Sequence, residues 1–249
     1  MGTFFTLWRR ELAAYFLSPI AYVVTIFFLL IMGFNFFLLV DLMSRERVTI
    51  PGVMEQLFAS APFFWPTFMI VVPLLTMRMF AEEYRSGTIE TLMTAPVTDR
   101  VVVLAKYAGA LTLFVCMWAA TIPYPFILEA FSEEAAPLDI GPVLGGYIGT
   151  FLLGMFWLSV GMFCSAFTRN QVVAAVACFS LIGISFTFGQ VHYIATDDLL
   201  KAVSAYVSPL LHQRDFVRGV VDSRPVVLYV SGTFFMLSMT LRMLEARRW

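Results

Sequence analysis

The sequence predicts an all-α integral membrane protein. It has six transmembrane helices, an N-terminal interfacial helix, a short polar helix on one membrane surface between spans two and three, and re-entrant pieces before span six. Three observations carry this reading. First, 60% of the 249 residues are hydrophobic, 16% are aromatic and only 13% are charged, which leaves too little polar surface to coat a soluble globule. Second, six apolar runs approach the roughly 20 residues that a membrane crossing requires, at 19–41, 60–77, 102–128, 142–167, 172–193 and 225–241. Third, one polar island, Met77 to Ala108, interrupts them between Thr76 and the apolar residues from Val101. The chain reads as a single membrane domain, 1–249. Within it, 1–18 forms the interfacial helix, 78–100 the polar surface segment and 195–225 the re-entrant segment.

At the N-terminus, Phe4, Leu7, Trp8, Leu12, Tyr15 and Phe16 recur at helical spacing around Arg9, Arg10 and Glu11. That pattern suits a helix lying flat in the interface, ended by Ser18-Pro19. The first apolar run is too long for a removable signal peptide and lacks a small-residue cleavage site, so it is expected to stay as an anchor. Span two carries Pro62, Pro66 and Pro73, and span three carries Pro123 and Pro125. In lipid, the carbonyls such prolines free must find partners, so both helices are expected to be kinked and to face protein. In the polar island, Ser86 with Glu90 reads as a helix start and Ala95-Pro96 as its stop, giving a helix of about two to three turns.

In span four, Gly145 and Gly149 form a GxxxG spacing that predicts close helix packing. Thr168 to Gln171 is a tight turn, making spans four and five a hairpin. From Ala195 to Pro225 the chain is neither a span nor a hydrophilic loop. Leu199, Leu200, Val203, Tyr206, Val207, Leu210 and Leu211 share a helical face broken at Ser208-Pro209, which predicts two short amphipathic pieces dipping into the outer leaflet. His212, Arg214, Asp215 and Arg218 crowd the second piece and read as a solvated interface with local ion pairs. Cys116, Cys164 and Cys178 all lie in apolar runs and read as small packing residues.

An even number of spans puts both termini on one side, and the basic residues indicate which. With the N-terminus cytoplasmic, ten Lys/Arg fall inside against six outside, while the acidic residues lean outward, eleven to six. The expected arrangement has both termini and the polar island in the cytoplasm.

The absences narrow the function. The cores of the six runs carry no ionisable residue, whereas an ion-coupled transporter needs them there. No GxxxxGK[ST] phosphate loop exists, since Lys106 follows Ala105 and Lys201 follows Leu200. There is also no HExxH pair, so neither hydrolysis of ATP nor metalloprotease chemistry is expected of this chain. Power for active transport must come from another subunit.

The polar island contains Pro73-Leu74-Leu75-Thr76-Met77-Arg78, Phe80-Ala81-Glu82-Glu83, Gly87-Thr88-Ile89-Glu90, Leu92, Pro96-Val97 and Lys106. This pattern resembles the segment joining spans two and three in permease subunits of type-2 ATP-binding-cassette (ABC-2) transporters. Ser208-Pro209, Asp215-Phe216-Val217-Arg218-Gly219, Asp222 and the terminal Leu244-Glu245-Ala246-Arg247-Arg248-Trp249 are similar to the bacterial branch that includes gliding-motility-associated permeases. The resemblance implies a permease in the bacterial inner membrane that forms the translocation path for export or for an envelope machine. It pairs with a second copy or a related permease and with separate nucleotide-binding ATPase subunits. ATP and Mg are bound by that partner; this chain itself takes no cofactor and no nucleic acid. The island then becomes the coupling helix, with Glu82, Glu83, Arg85, Gly87, Thr88, Ile89, Glu90, Leu92, Met93 and Pro96 at the ATPase interface. The alternative is a non-transporting membrane anchor that uses the same island to tether a cytoplasmic partner.

Overall fold

A computed structural model of the chain describes residues 2–45, 54–88, 97–131 and 139–246. The described residues form helices and turns, with no strand among them. In chain order the helices are α1 (Gly2–Phe16), α2 (Pro19–Arg45), a π-helical turn (Gln56–Ser60), α3 (Phe64–Thr76), α4 (Ala81–Ser86), α5 (Asp99–Ala119), α6 (Pro123–Phe131), α7 (Ile140–Phe167), α8 (Gln171–Gln190), α9 (Asp198–Val207), α10 (Pro209–Val217) and α11 (Ser223–Ala246). Six stretches are long and apolar enough to cross a membrane: Pro19–Leu42, Phe64–Ser86, Asp99–Ala130, Ile140–Phe167, Gln171–Tyr193 and Ser223–Ala246. They match the six apolar runs.

Helix boundaries follow the local chemistry. The chain leaves α1 at Ser18 and starts α2 on Pro19, where the absent proline N–H costs no helical bond. Pro123 opens α6 in the same way, so the third span divides at the turn Ala120–Ile122. Asp139, Asn170, Asp197 and Ser208 each accept a backbone N–H at the starts of α7, α8, α9 and α10. The expected break at Ser208-Pro209 lies between α9 and α10.

The centre of the bundle is α7, packed by α3, α5, α8, α10 and α11. Because lipid tails are as apolar as the side chains, helix association here depends on close packing. Small residues supply it. A Cβ at Gly154 would lie 2.3 Å from the Phe114 ring and one at Gly145 only 1.8 Å from the Phe216 carbonyl oxygen. The GxxxG stripe therefore seats α10, and next to it Gly146 receives Phe58 from the π-helical turn. Beyond these contacts an aromatic cluster fills the core, where Phe68 meets Phe114, Trp118 and Trp157 at centroid distances of 5.7, 5.5 and 5.4 Å.

Two expectations change. The helix described in the polar island is Ala81–Ser86, so Ser86 ends a helix where the sequence suggested a start. Its hydroxyl donates back to the Glu82 carbonyl at 2.9 Å, and Gly87 follows at φ 74°, a left-handed value that suits glycine at a helix end. Thr88 is again helical, while the expected continuation through Glu90 to Ala95-Pro96 lies outside the described residues. Similarly, the cluster at α10 is solvated only at Asp215 and Arg218, and its ion pairs are not local. His212 is buried, with Nδ1 2.9 Å from the Tyr229 hydroxyl, and Arg214 and Arg218 reach Glu55, far away in sequence, at 3.5 and 3.3 Å.

Candidate functional site

The end of α3 is a helix terminus inside the protein, and its last carbonyls need partners. Pro73 sits within this helix, and Thr76 bonds back to the Val72 carbonyl at 2.9 Å. The chain then turns through Met77 to Phe80 before α4. Two side chains from elsewhere satisfy the bend. The Tyr15 hydroxyl, from α1, donates to the Leu75 carbonyl at 3.0 Å. Burial, and then nearby Glu11, push the tyrosine pKa up, so the hydroxyl stays a donor. From α7, the Ser165 hydroxyl accepts the amides of Phe80 and Ala81 at 3.0 and 3.1 Å and donates to the Met77 carbonyl at 3.0 Å. One donor and two acceptors are thereby all used. Gly161, one turn before Ser165, leaves the hollow for Thr76: a Cβ there would lie 2.1 Å from the threonine Oγ1.

The charged residues tie the same bend to α1 and α5. Arg78 grips Glu82 through Nε and Nη2, a two-pronged pair, while its Nη1 donates to Ser18 Oγ at 2.8 Å, at the joint between α1 and α2. Lys106 of α5 is buried, with Nζ 2.7 Å from Glu83 Oε1 and 3.1 Å from Glu11 Oε2, and 5.6 Å from the centre of the Phe80 ring. Glu11 also receives Arg10 at 2.8 Å. Glu83 Oε2 is buried without a hydrogen-bond partner. A buried lysine is tolerable only when it is paired and bonded in this way.

Beside these residues lies a cleft of about 670 Å³, lined among others by Arg10, Glu11, Tyr15, Arg78, Glu82 and Lys106. Arg10, Arg78 and Lys106 balance Glu11, Glu82 and Glu83, so the cleft has no net charge to attract a free ion. No group of metal-ligating side chains occurs among the described residues. The arrangement is a mechanical junction, because one short helix is bound to α1, α5 and α7 at once.

Of the residues the sequence singled out, Glu82 and Glu83 are anchored inward by Arg78 and Lys106. Arg85, Gly87 and Thr88 are exposed, with the Thr88 hydroxyl 2.8 Å from that of Ser86. Ile89, Glu90, Leu92, Met93 and Pro96 lie outside the described residues. Sequence reasoning missed Glu11, Tyr15, Ser18 and Ser165 and gave Lys106 no structural task. A lysine eight residues into an apolar helix was a usable signal, since burial there demands an acid. Ser165, one small polar residue among many, carried none.

A scan of protein families matches residues 68–213, more than half of the chain, to the family described as ABC-2 family transporter protein. No match was found among curated proteins.

Proposed function

The chain belongs to the ABC-2 transporter family and is a membrane permease of an ABC transporter, and we propose that its bend after α3 is where a separate ATPase subunit engages it. The observation that carries this reading is the anchoring of α4. A segment that receives force must be firmly attached to spanning helices, and α4 holds α1, α5 and α7 through Lys106, Arg78 and Ser165. Its other side offers Arg85, Gly87 and Thr88 to a partner. Glu90, Leu92 and Met93 follow in sequence as further contacts, with the apolar pair as anchors.

In this reading the termini and the bend face the cytoplasm of a bacterial inner membrane, in keeping with the ten-to-six basic bias. Two copies, or one copy and a related permease, form the translocation path for export or an envelope machine. ATP and Mg stay with the ATPase.

Charge reversal tests the site. Arg85→Glu, on the exposed side of α4, and Leu92→Asp should abolish ATPase co-purification and transport-dependent growth while leaving membrane insertion intact, because an unpaired charge in a docking cleft costs about 2–5 kcal/mol. Glu134→Lys, in the acid-rich segment expected from the charge bias on the other side of the membrane, is the control. Normal ATPase binding by both variants overturns the reading. Binding of an ATPase without any transport favours the anchor alternative.

A further inference from the structure

Helix α7 runs unbroken from Ile140 to Phe167; Gly154 receives Phe114 at its middle, where the Tyr107 hydroxyl donates to the Met155 carbonyl, and two further polar clasps lie nearer its ends. Near one end, Ser165 accepts two backbone amides from the bend and donates to a third group, the Met77 carbonyl, while Gly161 receives Thr76. Near the other, the buried Gln213 of α10 donates from Nε2 to the Gly146 carbonyl at 3.0 Å and to Thr150 Oγ1 at 3.1 Å. There the Phe216 backbone lies directly against Gly145. Ser165 and Gly146 are 19 residues apart, roughly 28 Å along a helix.

We infer that α7 is the rod linking the bend to α10, with Ser165 and Gln213 as the positioning residues at its two clasps. The inference rests on the reading of the bend as the ATPase contact for its purpose, and goes beyond it in assigning the path and the far element that responds. Polar clasps suit this task better than apolar contacts. A helix sliding on apolar neighbours loses little, whereas a displaced clasp leaves buried N–H and C=O groups without partners, so both ends move together or not at all. From α10 the motion passes to the Glu55 segment through Arg214 and Arg218. Coupling of this kind is reciprocal by thermodynamic necessity.

Hydrogen exchange on the full chain, reconstituted in phosphatidylethanolamine–phosphatidylglycerol nanodiscs, tests this in both directions. Ser165→Ala should speed exchange about tenfold in residues 77–81 and, through α7, about threefold or more in 209–217, with α6 unchanged as the control. Thr150→Val with Gln213→Leu should speed exchange in 209–217 and, reciprocally, in 77–81. Changes confined to the mutated end overturn the inference. Should Ser165→Ala fail to fold, the Thr150→Val/Gln213→Leu arm decides alone, and unchanged exchange at 77–81 refutes it. If the two ends respond to each other while Arg85→Glu and Leu92→Asp still bind ATPase normally, the rod stands and the docking reading falls.

Discussion

Replacing Lys106 with methionine probes the joint between α1, α4 and α5 most directly. The side chain is 5% exposed, and the carboxylates it holds, at 2.7 and 3.1 Å, are themselves only 19% and 13% exposed. Methionine fills the volume but removes the cation. Glu11 keeps Arg10, whereas Glu83 loses the only ion-pair partner it has among the described residues, with Oε2 already lacking a hydrogen bond. Leaving a buried charge uncompensated costs about 3–5 kcal/mol. Glu83→Gln is milder: Lys106 keeps Glu11, and the amide oxygen still accepts from it, so the cost is about 1 kcal/mol. The triple variant Glu11→Gln/Lys106→Met/Glu83→Gln removes Lys106 and both carboxylates it holds, leaves Arg10 exposed to water, and should recover most of the stability lost in Lys106→Met. Equilibrium unfolding in mixed SDS–detergent micelles measures all three beside Arg242→Ala. That control breaks a pair whose arginine is 81% exposed and should cost about 0.5 kcal/mol or less. If Lys106→Met falls within that margin of Arg242→Ala, or the triple variant is no more stable than Lys106→Met, the cluster does not hold the joint.

Three further outcomes concern α7, α8 and α10. Gly145→Ala, whose Cβ would lie 1.8 Å from the backbone oxygen of Phe216, should lose more than about 3 kcal/mol. Gly183→Ala, with nothing within 4 Å of the new atom, should gain up to about 1 kcal/mol in the same unfolding assay. Burial against Tyr229 lowers the His212 pKa from 6.5 to about 4, so as pH falls the unfolded chain takes up this proton first. Stability attached to the neutral ring is complete above about 6.5 and is lost between 6.5 and 4, to a total of about 3 kcal/mol. Burial raises the Asp215 pKa, which acts in the opposite sense near the acid end of that window. The slope that disappears in His212→Gln is therefore the histidine's share, and an unchanged slope refutes the assignment.

The number and order of spans were determined by the sequence itself, because a membrane crossing is a local property: about 20 apolar residues either occur in a row or do not. The breaks at Ser18-Pro19 and Ser208-Pro209 were legible for the same reason, since proline and cap residues act on their own backbone. Charge pairing was not legible. The sequence shows Lys106 but not that Glu11 and Glu83, 95 and 23 positions away, converge on it, nor that Arg214 and Arg218 find Glu55. Gly145 and Gly149 announced close packing without naming α10 as the partner. That Ser86 also closes a preceding helix was not legible, because serine chemistry suits either end of a helix and α4 is held by Ser165 accepting the amides of Phe80 and Ala81. These features depend on which helices become neighbours, and that is decided by small-residue hollows along α7 and by backbone groups that must find partners away from water.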